Sequence, residues 1–290
     1  MSDMLPGFAA RAGEPGARAL HSVEIGEGTS PVAFLHGLGG TLRYWTSTAT
    51  MPVFARHRTR LLDLYGFGDS PRPWCRYTLS RHLEALHRSL DPARPQVLVG
   101  HSLGAALALA FAARRPRRVA GLVLIGLPHY GSPQHAIDWF RRQRGGWIYT
   151  NLLATMLACV VTRRVAGRML PRLVRDVPRV VAEDLVKHNA MSSATSLWDV
   201  LYRHNLAADA ARLHPRIPVL CIHGLDDVTA PIEAVRGLCA AHPRWRLLEL
   251  AADHHPWLRA GQTCHSAIDT FLRAISPPPR PCLAGAGRAR

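Results

Sequence analysis

Six short apolar runs, each about the length of one strand, punctuate the chain: "PVAFLHG" (31–37), "TRLLDL" (59–64), "QVLVGHS" (96–102), "VAGLVLIG" (119–126), "PVLCIHG" (218–224) and "WRLLELA" (245–251). Helical patterns lie near 80–90, 103–115, 231–241 and 262–275, several opened by a Ser, Pro or Gly start signal. Strands separated by helices return to the sheet in the same direction, so the alternation predicts an α/β fold with a mostly parallel sheet flanked by helices. At 290 residues the chain can hold one large domain with an insertion or two smaller domains. One interval breaks the rhythm. Between Pro128 and Pro215 only helical segments occur, among them "IDWFRRQ", "TNLLATMLACVV" and "VPRVVAEDLVKHN". Residues 129–212 are therefore expected to form a helical cap inserted into a core of residues 20–128 and 213–275, with disordered tails at 1–19 and 276–290.

The junction "VLVGHSLGAALALAF" (97–111) carries the sharpest chemical signal. A strand that enters a helix almost without a loop forces the residue between them into strained backbone angles and crowds its neighbours two positions away. Gly100 and Gly104 supply the room, leaving Ser102 at the point of the turn. The pentapeptide alone is a weak signal, but here a fully buried strand pattern precedes it and an apolar helix follows.

Composition narrows the function classes. The formal net charge is +16, but residues 131–210 carry eleven basic and six acidic side chains, about their share by length. Arginine dominates, with Lys187 the only lysine, and no basic stripe alternates with aromatics, so a nucleic-acid partner is not expected. Cys75, Cys159, Cys221, Cys239, Cys264 and Cys282 are scattered without a C-x-x-C pair, which fits free thiols in a reducing cytoplasm. The N-terminus has no apolar leader, and no secretory signal is expected. "GGWIYTNLLATMLACVVT" (145–162) contains several polar residues and falls short of the roughly 20 apolar residues of a membrane span, so it is read as a buried or lid helix. No H-E-x-x-H or H-x-H-x-D-H motif occurs, and His82 and His87 are five apart, off a common helical face, so no metal is expected. The lone G-x-G of "YGFG" does not make a dinucleotide fingerprint, and no cofactor is expected.

Five motifs, in order, resemble those of the α/β-hydrolase family over about residues 20–275: "FLHGLGGTLRYW", "LLDLYGFGDSPRP", "GHSLG", "HGLDDVTAP" and "DHHPWL". The chain order Ser, Asp, His is also that family's. The resemblance implies a roughly eight-stranded sheet and a triad of Ser102, Asp227 and His254. A serine hydroxyl is a weak nucleophile until an imidazole accepts its proton, and the imidazole needs a carboxylate to fix its tautomer. After the strand ending at Gly126 no carboxylate occurs until Asp138, so the family's alternative acid position is empty. Asp227, three residues after Gly224 and four before Pro231, aligns as the acid, with Asp226 a solvated turn residue. His254 stands two residues before Pro256 and four before Leu258, as the family's histidine does; His255 fits neither spacing. The oxyanion hole falls to the backbone N–H groups of Leu38 and Leu103. His36 is expected to pack the HG loop and His101 to wall the site, and both are candidates to line the substrate pocket.

Three residues depart from the family pattern: Asp253 and Arg259 stand where glycine and glutamate are usual, and Ala105 where glycine is common. They bear on the subfamily and the substrate rather than the fold. The expected inner face of the cap is apolar, with Trp139, Trp147, Leu152, Leu153, Met156 and Trp198, which suits a small-molecule hydrophobic ester or acyl thioester with a medium-length or bulky acyl group. Acyl transfer, C–C bond hydrolysis, cofactor-free haloperoxidase chemistry and an inactive ligand-binding protein remain alternatives on this fold.

Overall fold

The computed structural model describes residues 19–27, 31–46, 52–143, 145–166 and 177–275, so the expected tails, apart from residue 19, and Cys282 lie outside the described residues. Seven strands form one sheet in the order β1-β3-β2-β4-β5-β6-β7. They are β1 (Ser22–Ile25), β2 (Pro31–Leu35), β3 (Arg58–Leu62), β4 (Gln96–His101), β5 (Val119–Ile125), β6 (Val219–Gly224) and β7 (Trp245–Leu250). The six apolar runs became β2 to β7, all mutually parallel. The seventh, β1, is an antiparallel edge strand on β3 with mostly solvated side chains, and so carries no apolar run. Seven strands among the described residues replace the expected eight or so. Every residue of β4 and β6 is buried, as helices on both faces require.

The helices that matter for the site are α1 (Leu79–Ser89), α2 (Leu103–Arg114), α3 (Pro133–Arg141), α4 (Gly146–Tyr149), α5 (Leu152–Val161), α6 (Ala190–Ser196), α7 (Ile232–Ala240) and α8 (Gly261–Ile275). Ten of the twelve residues of α2 are buried, because this alanine-rich helix is sandwiched between the sheet and its neighbours. Alternate strand residues feed two cores. Leu35, Leu98 and Leu124 meet α2 on one face, while Phe34, Val99 and Ile125 meet α8 on the other. On the second face Trp45 and Trp257 pack edge to face at 4.8 Å and Phe34 joins them at 5.1 Å from Trp45. Each such ring contributes roughly 1.5–3 kcal/mol through burial, enough to pin the segments after β2 and after β7 to one another.

Among the described residues between Ile125 and Val219 the regular elements are helices, as the sequence pattern predicts. Asn151 caps α5 by accepting from the Ala154 N–H at 3.1 Å, so the 145–162 run is split into α4 and α5. Among the described residues no helix is long and apolar enough to cross a membrane. The segment Leu197–Tyr202 continues α6 with wider turns, as in the Arg203 N–H bond to the Trp198 carbonyl. The helix Leu206–Arg212 returns to the core through buried Asp209, which accepts from Arg114 of α2 at 2.9 Å.

Candidate active site

Ser102 joins β4 to α2 at φ 50° and ψ −113°, the only non-glycine residue with positive φ among the described residues. Such a conformation costs about 1–3 kcal/mol and must be held by its surroundings. Two close approaches hold it. A Cβ at Gly104 would lie 2.1 Å from the Leu35 carbonyl oxygen, and one at Gly100 would lie 2.4 Å from the Gly104 backbone. The Ser102 N–H donates to the Ile125 carbonyl at 2.9 Å, fastening the turn to β5. Leu103 is the first residue of α2, a position whose N–H has no acceptor within the helix. The HG loop lies against this turn: a Cβ at Gly37 would be 3.3 Å from Ser102 Cβ. Leu38 follows directly, partly buried in a turn closed by the Gly40 N–H on the Gly37 carbonyl at 3.1 Å.

Asp227, buried after β6, is held from four sides. Its Oδ1 accepts the N–H groups of Thr229 and Ala230 at 2.8 Å each. Oδ2 takes His254 Nδ1 at 2.7 Å and lies 3.2 Å from His223 Nε2. Burial pushes the carboxyl up, but hydrogen bonds from His223 and His254 outweigh it and hold Asp227 well below the usual carboxylate range. An ionised carboxylate only accepts, so the proton of His254 is assigned to Nδ1, which leaves Nε2 an acceptor. Gly126, at φ 55°, clears space for this ring; a Cβ there would stand 3.2 Å from His254 Cε1. No hydrogen bond joins the Ser102 hydroxyl to His254 among the described residues, and unliganded catalytic contacts are commonly longer than those made with substrate. Asp226 is exposed, as its turn position predicts.

The other histidines have distinct jobs. His36 is fully buried; its Nδ1 donates to the Gly37 carbonyl at 2.7 Å and its Nε2 accepts the Leu64 N–H at 2.9 Å, so both nitrogens staple backbone. His101 Nε2 donates to the His254 carbonyl at 2.8 Å and its ring stacks on Tyr44 at 4.8 Å. Burial pushes its pKa well below the usual histidine value, and it stays neutral. His255 lies 5.1 Å from the His101 ring, and burial and the neighbouring His254 bring it down to about 4. Asp227 is bonded to His254 and not to His255.

Five contacts were not foreseen. His223 had no local signal, since a histidine ending an apolar strand resembles any buried polar residue. Asp253 and Arg259 pair with each other, Nε to Oδ2 at 2.9 Å, while Asp253 Oδ1 accepts the His255 N–H at 2.8 Å. Two of the family departures are thus one ion pair bracing the histidine loop. Tyr130 Oη donates to the Thr229 carbonyl at 3.0 Å and Trp139 Nε1 to the Val228 carbonyl at 2.9 Å, so residues of the helical segment tie down the loop that carries Asp227.

The expected cap lining is only partly enclosed. Trp139 packs against the core, and Trp198 borders a cavity of about 320 Å³ with Arg76, Leu152, Met191 and Asp199. Met156 is half-buried on α5. Trp147 and Leu153 are 65% and 76% exposed, because α4 and α5 turn those side chains to solvent. The surface cavities at residues 128–133 with 201–206, at 210–217 with 241–245 and at 65–73 do not include Ser102, which is only 6% exposed. One group of metal-type donors, His21, Asp63 and Asp69, lies within 4.8 Å among the described residues. Asp63 already accepts from the Leu42 and Asp69 N–H groups and pairs with His21 Nδ1, so the group is a loop staple.

The profile of the alpha/beta hydrolase fold family matches residues 30–258. The chain belongs to that family. It is 29% identical over 248 residues to the probable lysophospholipase BODYGUARD 1 of Arabidopsis thaliana, covering 74% of this chain and 52% of the relative. The chain thus spans about half the length of that plant relative. It is 41% identical over 113 residues to a 2-hydroxy-6-oxo-2,4-heptadienoate hydrolase of Pseudomonas putida, covering 37% and 40%. Among solved structures, a hydrolase from Pseudomonas aeruginosa superposes with TM-score 0.68 at 26% identity, covering 87% of this chain and 93% of that one.

Proposed function

We propose that the protein is a serine hydrolase that cleaves a hydrophobic carboxylic ester or acyl thioester through an acyl-enzyme on Ser102. The observation that carries this reading is the bonded Asp227–His254 pair on the loops after β6 and β7, beside a serine forced to φ 50° at the end of β4. In the forward half-reaction His254 Nε2 takes the Ser102 proton as Oγ attacks the carbonyl. Asp227 stabilises the imidazolium, and the N–H groups of Leu103 and Leu38 receive the oxyanion. His254 then returns the proton to the departing alkoxide or thiolate. Water repeats the sequence on the acyl-enzyme and frees Ser102 with the acid. His101 supports this by fixing the His254 main chain. The neutral forms of His101 and His255 keep competing positive charge away from the imidazole at neutral pH.

The apolar parts of the cap that face inward, Trp139 and Trp198 among them, suit a medium or bulky acyl group, and each methylene buried should add about 0.8 kcal/mol of transition-state binding. The partial likeness to a C–C bond hydrolase supports a second reading, in which the same serine and histidine cleave a vinylogous diketone. Activity profiling on p-nitrophenyl esters and acyl thioesters from acetate to octanoate, beside a vinylogous dienoate, tests the two. Rising kcat/KM with chain length on esters or thioesters supports the first; turnover of the dienoate alone replaces it with the second.

A further inference from the structure

The cap hairpin α4–α5 is built the wrong way round for a helix that serves only the core. On α5 the one buried residue is the polar Thr155, whose hydroxyl donates to the Ile148 and Asn151 carbonyls, while Leu153 and Leu157 are 76% and 64% exposed. Leu153, Leu157 and Val160 recur at i, i+4 and i+7, one stripe on the solvent side. Trp147 and Tyr149 of the adjoining α4 are at least half exposed too, with side chains that are apolar in body and polar at the tip. A second, independent feature is charge. Between Asp138 and Asp176 the sequence has eight arginines and no carboxylate, a concentration hidden when charge is averaged over residues 131–210. Of the arginines in the described residues, Arg141 and Arg142 lie five and four residues before the hairpin and Arg163 and Arg164 two and three residues after it, all four exposed.

We propose that the α4–α5 hairpin docks on an anionic phospholipid surface, with its leucine stripe in the acyl boundary and the flanking arginines on lipid phosphates. An apolar stripe between cations matches a surface that is negative outside and oily beneath. A second copy of the chain fits less well, since two like faces would bring their arginines together. The helix is too short to span a bilayer, so it lies on one. This surface deepens the ester-hydrolase reading by bringing the protein to the phase where acyl esters reside, and for that role it rests on that reading.

The test is co-sedimentation of the full chain with vesicles of phosphatidylcholine alone and of phosphatidylcholine with phosphatidylglycerol, beside hydrolysis of a water-soluble short-chain ester. The wild type should bind the anionic vesicles and lose most binding at about 0.5 M salt. Leu153→Asp with Leu157→Asp, and separately Arg141→Gln with Arg142→Gln and Arg164→Gln, should each weaken vesicle binding by about tenfold or more. Both variants should hydrolyse the soluble ester at the wild-type rate, which reports on the ester reading separately. Absence of wild-type binding to anionic vesicles, or variants that bind as the wild type does, overturns the docking surface. Concentration-dependent dimerisation abolished by Leu153→Asp with Leu157→Asp, without vesicle binding, assigns the face to a second copy instead.

Discussion

Replacing Asp227 with asparagine removes one oxygen's worth of acceptor and should silence the enzyme without unfolding it. The carboxylate receives four donors, two backbone N–H groups on Oδ1 and the two histidine nitrogens on Oδ2. Asparagine keeps the first pair through its carbonyl oxygen and presents an NH2 group to the second. His223 cannot yield, because its Nε2 also donates to the Ala230 carbonyl at 2.9 Å and must carry the proton. His254 yields instead: its Nδ1 becomes the acceptor and its proton moves to Nε2, where it faces Ser102 and cannot take the serine's proton. Two charge-assisted bonds of about 1.5–3 kcal/mol each are lost, partly offset by the smaller desolvation cost of the neutral amide, so stability should fall by about 2–4 kcal/mol. Catalysis should fall further, by about four orders of magnitude in kcat, from the wrong tautomer and the unstabilised imidazolium. Thermal unfolding and ester kinetics on Asp227→Asn measure the two effects separately. Activity within tenfold of wild type in a folded Asp227→Asn protein would refute the assignment of Asp227 as the group that sets the tautomer of His254.

Gly104→Ala should destabilise the elbow by more than the about 1–3 kcal/mol typical of overpacking, because its Cβ meets the Leu35 carbonyl oxygen and not a movable side chain; a lowered Tm with lost activity checks it. His101→Phe keeps a ring to stack on Tyr44 but removes the bond to the His254 carbonyl, so kcat should fall by about tenfold with KM little changed; unchanged kcat would leave His101 as packing alone. Burial pulls His188, His255 and His265 down to about 4 and His82 to about 3, below their unfolded values of about 6.5. Between those limits the unfolded chain binds more protons, so urea stability should fall steadily as pH drops from about 6.5 to 4 and go on falling below, where the depressed carboxyl of Asp227 adds its own loss; His265→Gln should flatten the slope between about 6.5 and 4.

How much of this was legible depends on whether the cause was local. The elbow could be read because strain and its remedy lie within five residues, Gly100 to Gly104. The choice between His254 and His255 followed from spacing to Pro256 and Leu258, and it is His254 that bonds Asp227. The strand β1 escaped because "SVEI" pairs on one edge only and buries little. The cap was misjudged in orientation: α5 is apolar nearly all round, and a sequence shows that such a helix has apolar faces without showing which one meets solvent. Trp147 and Leu153 were therefore placed inside and lie outside. Asp253 and Arg259 stood out singly, but their pairing needs the loop to close over six residues, and the bonds of Tyr130 and Trp139 to the loop carrying Asp227 span 99 and 89.

The central claim is that Ser102 is the nucleophile. Incubation of the full chain with a fluorophosphonate, followed by peptide mass spectrometry, tests it most directly, because only an activated serine beside a base is phosphonylated rapidly. One adduct per chain on the peptide bearing Ser102 is expected, with loss of esterase activity in step with labelling and no adduct on Ser102→Ala. An adduct on another serine with activity lost in proportion, or a folded Ser102→Ala protein that retains a tenth or so of wild-type turnover, would contradict the account.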